Sequence, residues 1–191
     1  MTGKARTTAR AALSLAGLGL LAIPAVAVGL SGAASSDALW TALRVAALEG
    51  FTLVFIDITI GAFRPLYNKV AKPRAVHRLH VATGLAGFTL VVGHAAMVLV
   101  FGLAGYSGFR WVGPPILFVL AVAIGTAFWR RRLRHSWRWI HRLNYLVFAT
   151  VLVHGWALGF DFRSTLWLKV WFVVCAAVVA SGLAYRLTTS R

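Results

Sequence analysis

Six histidines stand out as the side chains able to do chemistry: His77, His80, His94, His135, His141 and His154. All lie on or beside two long apolar stretches, residues 76–103 and 137–159. A neutral imidazole binds metals and carries protons near neutral pH. Ionisable groups within apolar membrane segments are rare and mark functional positions. His80 and His94 are fourteen residues apart, and His141 and His154 thirteen. At about 1.5 Å per helical residue these separations are about 21 Å and about 20 Å. If both stretches run the same way, His80 faces His141 at one level and His94 faces His154 at another.

Two stacked pairs of this kind suit two haem irons, each held from both faces. Helical phase agrees for the first stretch, because fourteen residues return to within about 40° of the same face. Thirteen residues miss by about 140°. The second helix must then be locally distorted, or must present its histidines at different angles. His77 and His135 sit in strongly basic sequence and read as interfacial residues. The seventeen residues from His77 to His94 miss the phase by about 100°, which favours His80.

The elements that would position these groups follow from composition. Hydrophobic residues make up 60 % of the 191, mean hydropathy is +0.79, and 20 basic residues oppose 4 acidic ones. That is too apolar for an ordinary soluble domain. The net charge of +16 lies between apolar runs, where it reads as membrane topology and not as a nucleic-acid surface. About 20 apolar residues cross a bilayer. Six runs qualify: 11–30, 38–63, 76–103, 111–129, 137–159 and 165–187. The expectation is one all-α membrane domain over residues 1–191, a bundle of six transmembrane helices with the paired histidines on helices 3 and 5. The first run follows Lys4, Arg6 and Arg10 and ends near an Ala-Val-Ala at 25–27, like a secretory signal. Its length favours a retained span. The Lys and Arg residues concentrate on one side, which places both termini in the cytoplasm of a multi-pass cell-membrane protein.

Short loops exclude a folded substrate domain, and no Gly-rich dinucleotide motif is present. Cys175 has no second cysteine to pair with and reads as a packing residue. The cations Arg74, Arg78, Arg138 and Arg142 would lie near the inner histidine level, and Arg44, Arg110 and Arg163 near the outer one. They either neutralise haem propionates or serve topology, and Arg44 either reaches a propionate or snorkels to the surface. Glu49 lies five residues from Arg44 and can neutralise it, while Asp57 can bond a neighbouring helix. Phe88 and Phe148 fall midway between the histidine levels. Trp40, Trp111, Trp137 and Trp167 suit the interfacial belts. The basic inner loops suit anionic lipid headgroups or a docking flavoprotein.

The six spans with His80 and His94 on the third and His141 and His154 on the fifth resemble the ferric reductase-like transmembrane domain. This family includes the membrane parts of NADPH oxidases and ferric-chelate reductases, and the haem subunit of methionine sulfoxide reductase systems. Trp137 and Tyr145, four before and four after His141, fit it, as does Gly84, four after His80. The resemblance implies two b-type haems, the inner on His80 and His141 and the outer on His94 and His154. It implies space for haem at Gly84 and an arginine, Arg44, beside the outer haem. No flavin domain follows the spans, so electrons would come from a cytoplasmic flavin or iron–sulfur reductase, or from quinol. They would leave to a small acceptor or an extracytoplasmic protein. Two other readings stand beside this one. One is a single-haem membrane anchor for an extracytoplasmic reductase. The other is a haem-free metal or proton transporter.

Overall fold

The computed structural model describes residues 3–30, 37–101 and 108–189, with the side chains of 109, 110, 163 and 164 outside that description. The outer cations Arg110 and Arg163 therefore lie outside the described side chains, as does most of the first two outer loops. Nine α-helices are described: α1 (Gly3–Leu30), α2 (Ala38–Ala62), α3 (Arg64–Val70), α4 (Pro73–Val100), α5 (Gly113–Phe128), α6 (Arg130–Leu133), α7 (Ser136–Leu158), α8 (Phe160–Ser164) and α9 (Leu166–Thr189). A 3₁₀ turn, Gly108–Val112, leads into α5, and no strand occurs among the described residues.

Four helices are long and apolar enough to cross a membrane: α1 from Lys4, α2, α4 and α9. The other two of the six runs are helical but differ from the expectation. Helix α5 has 16 residues, about 24 Å of rise, short of the roughly 30 Å of a bilayer core. Helix α7 has 23 residues, and Arg138, His141 and Arg142 in its first two turns reduce its apolar character.

Local chemistry sets the helix boundaries. The Asp37 carboxylate caps α2, accepting from the amides of Leu39 at 2.9 Å and Trp40 at 3.2 Å. Prolines open α3, α4 and α5, where the missing amide costs nothing. Two cations cap carbonyl ends. Arg10 Nε donates to the Val70 carbonyl at 2.6 Å, and Arg186 Nη2 to the Gly61 carbonyl at 2.6 Å.

Helix α2 is the centre of the bundle. Of its apolar window 56 % is buried, against 11 % for α4. Phe51 and Phe55 of α2 join Phe148 of α7, Leu168, Phe172 and Cys175 of α9, and Ala27 and Val28 of α1 in one core. Phe51 stacks on Phe172 with centroids 4.0 Å apart. Lipid tails are as apolar as these side chains, so close packing must hold the helices together. Glycines allow it. A Cβ on Gly50 would lie 3.0 Å from Val91 Cγ2, one on Gly87 3.1 Å from Leu53 Cβ, and one on Gly182 2.8 Å from Ala62 Cβ. Helix α4 thus lies against α2, and α7 against α5, while α4 and α7 have little direct backbone contact with each other.

Candidate functional site

The structure brings His80 and His141 together. Their ring centroids are 6.0 Å apart and their planes stand at 85°. His94 and His154 lie within electrostatic range of each other at the second level. Between the levels, Phe88 of α4 packs against Ile116, Leu120 and Val147 of α5 and α7. Phe148 points elsewhere, into the core against Phe51 at 5.2 Å.

Each of three histidine rings is held by a neighbouring helix. His80 Nδ1 lies 3.2 Å from the Asp57 carbonyl, His94 Nδ1 3.4 Å from the Leu43 carbonyl, and His141 Nδ1 3.4 Å from the Ala123 carbonyl. A carbonyl only accepts, so each Nδ1 is the donor, and in the neutral ring Nε2 then presents a lone pair. That is the usual outer-shell arrangement of a metal-bound imidazole. These carbonyls also belong to helix ladders, so a ring can reach them only where nothing covers them. In a helix the side chain four residues later leans back over a given carbonyl. The residues four positions after Asp57, Leu43 and Ala123 are Gly61, Ala47 and Ala127, all small. A Cβ on Gly61 would lie 3.5 Å from His80 Cε1. Gly113 stands beside the fourth ring, where a Cβ would lie 3.6 Å from His154 Cε1.

Asp57 also reaches His80 with its side chain, Oδ1 lying 2.6 Å from Nδ1. The Thr83 hydroxyl lies 3.3 Å from the same oxygen. Gly84 faces this carboxylate: a Cβ there would lie 3.1 Å from Asp57 Oδ1. The room left by Gly84 is taken by Asp57, so the glycine admits a carboxylate from α2.

Arg44 is buried and paired with Asp161 of α8, Nε donating to Oδ2 at 3.0 Å and Nη2 to Oδ1. It also stands over the Phe160 ring, 5.5 Å from its centroid. The partner is Asp161, not Glu49, and the guanidinium does not snorkel to the surface. Arg78 and Arg142 are exposed near the starts of α4 and α7, with Arg142 over the Trp139 ring at 4.6 Å. Trp137 lies beside His141, with centroids 5.8 Å apart.

No known protein family, curated protein or solved structure matches this chain.

The donor set can be tested against haem directly. Among the described residues no group of three or more His, Cys, Asp and Glu side chains is placed to hold a metal ion. Haem iron takes only one or two ligands from the protein. The His80 and His141 rings, 6.0 Å apart between centroids, are close enough for both to serve one metal. The paired imidazoles, their proton-bearing Nδ1 atoms and the thin contact between α4 and α7 fit a haem held from both faces.

Thr83, Gly61, Gly113 and the three carbonyls are neighbours of the histidine rings, and Asp161 of Arg44, that the histidine spacing does not reveal. A small residue four positions after a carbonyl is the signal that finds three of them.

Proposed function

We propose that this chain is a two-haem b-type transmembrane cytochrome, similar to the ferric reductase-like membrane domain, that carries electrons across the bilayer. In this reading α5 and α7 complete a six-span bundle with both termini in the cytoplasm. His80 and His141 bind the inner haem, and His94 and His154 the outer. Haem, when bound, supplies a one-electron iron couple. Two histidines would serve as the protein's ligands to each iron, and a haem so held would supply electron transfer. The carbonyls of Asp57, Leu43 and Ala123 fix three of the rings. Phe88, Leu120 and Val147 fill the space between the two levels and keep water from it. Arg78 and Arg142 stand at the inner end, where propionates need cations. Electrons enter from a cytoplasmic flavin or iron–sulfur reductase, or from quinol. They leave to a small acceptor or an extracytoplasmic protein.

The observation that carries the reading is register. The carbonyl partners Leu43 and Asp57 are fourteen residues apart (57 − 43), as are His94 and His80 (94 − 80). Two antiparallel helices thus hold two rings in equivalent settings, about 21 Å apart along α4. A single chance histidine has no reason to repeat its environment.

The test is haem per chain in detergent-purified protein, by pyridine haemochrome, with a reduced-minus-oxidised spectrum. The expected result is two low-spin haems b. One haem selects the membrane-anchor reading. None, even after addition of hemin, overturns the cytochrome. A second reading rests on the 2.6 Å contact between Asp57 and His80, with the His141 ring beside them at 6.0 Å between centroids. A carboxylate grouped with two imidazoles can take up and release protons, and a haem-free protein with that cluster would be a proton or metal transporter.

A further inference from the structure

The inner and outer rings of α4 differ in one respect. His94 has a peptide carbonyl on its Nδ1, and so has His141 on α7. His80 has a carbonyl and, in addition, the Asp57 carboxylate oxygen at 2.6 Å. We propose that Asp57 is a positioning residue for the inner haem ligand and lowers the potential of the inner haem. The inference rests on the cytochrome reading above.

The physical reason is charge. A hydrogen bond to an ionised acceptor is about twice as strong as one to a neutral carbonyl. A carboxylate on Nδ1 makes the imidazole a more basic ligand, and a more electron-rich ligand favours the oxidised iron. The low dielectric of the site strengthens the effect of a nearby negative charge. Asp57 is placed for this role from several directions. It is buried, at 9 % exposure. Thr83 Oγ1 lies 3.3 Å from Oδ1, with the Leu79 and His80 carbonyls as nearer acceptors at 2.9 Å and 3.1 Å. Gly84 has no side chain to keep it away, since a Cβ there would come within 3.1 Å of Oδ1. Gly61, one turn beyond Asp57, leaves the His80 ring room to approach. Gly84 and Gly61 therefore both leave room for one carboxylate to meet one ring. With haem held by His80 and His141, this carboxylate would favour the ferric state of that iron.

Redox titration of the haem-loaded, full-length protein tests this at the haem absorption bands. The wild type is expected to show two one-electron waves. His94→Ala, which keeps the inner haem, identifies the inner wave. Asp57→Asn is expected to raise that wave by about tenfold in its equilibrium constant, about 59 mV for a one-electron couple, and to leave the other wave in place. Asp57→Glu, which restores the charge, is expected to return the wave toward its original position. An Asp57→Asn protein with both waves unmoved, or moved equally, overturns the assignment. If Asp57→Asn loses haem, Asp57→Ser is titrated in its place, and an inner wave that stays put in that variant overturns the assignment as well. Haem absent from the wild type is the failure of the cytochrome reading and takes this inference with it. Two haems with unmoved waves is the failure of the Asp57 role alone.

Discussion

Arg44 and Asp161 form a buried ion pair whose role a double-mutant cycle can establish. The side chains are 4 % and 6 % exposed. Arg44 sits in α2 next to Leu43, whose carbonyl meets His94, and Asp161 sits in the short α8 at the same end. Removing one partner breaks a buried ion pair, which costs about 3–5 kcal/mol. Replacing both by apolar residues of similar volume is nearly neutral or stabilising. Arg44→Met and Asp161→Leu alone should therefore each lower the melting temperature by about 6–20 °C, at about 2–4 °C per kcal/mol for a chain of this size. The double variant should recover most of that loss. The assay is thermal unfolding in detergent, read by far-ultraviolet dichroism, with haem content measured on the same samples. Additive losses, or a single variant within about 1 kcal/mol of wild type, refute the coupling. The haem measurement then separates two roles. If Arg44 acts by holding α8 on α2, the double variant keeps its outer haem. If Arg44 neutralises a propionate, the double variant is stable but remains deficient in outer haem.

Further perturbations follow from the packing. Ala47→Leu lays a side chain over the Leu43 carbonyl that His94 uses, so haem per chain should fall from two to one, with the remaining haem lost on combination with His80→Ala. Gly182→Val places a branched side chain where even a Cβ would be 2.8 Å from Ala62 Cβ. The overpacking should cost about 1–3 kcal/mol in thermal unfolding. Arg186→Met removes the donor to the Gly61 carbonyl, a charge-assisted bond of 2.6 Å. A loss of about 1.5–3 kcal/mol is expected, visible as a lower unfolding temperature.

The helical class is legible in the sequence because long apolar runs dictate it, and the histidine levels are legible because helical rise converts spacing into depth. The pairing of His80 with His141 appears in the structure at the expected level. Other features needed tertiary information. Arg44 and Asp161 are 117 residues apart, and nothing local distinguishes Asp161 from Glu49 as the partner. Gly84 reads as space on the face of His80, but its phase turns it toward α2, where Asp57 fills the gap. Phe148 lies midway between His141 and His154, yet α7 directs it into the aromatic core of α2 and α9. The length of α5 was obscured because the 3₁₀ turn of residues 108–112 replaces its first α-helical turn.

The unequal histidine spacings gain a physical reason from the companion helices. Helix α4 runs antiparallel to α2 and draws both ring partners from it, so equal spacing on the two helices preserves equal surroundings. Fourteen residues is the separation that satisfies both Leu43 and Asp57. Helix α7 leans on α5, where the contacts are Ala123 for His141 and Gly113 for His154. Helix α5 begins at Gly113, directly behind the 3₁₀ turn of residues 108–112, so His141 meets the middle of an α-helix and His154 lies beside its first residue. Thirteen residues leave the two positions about 140° apart around an ideal helix, and the backbone that faces them changes from 3₁₀ to α between the two levels.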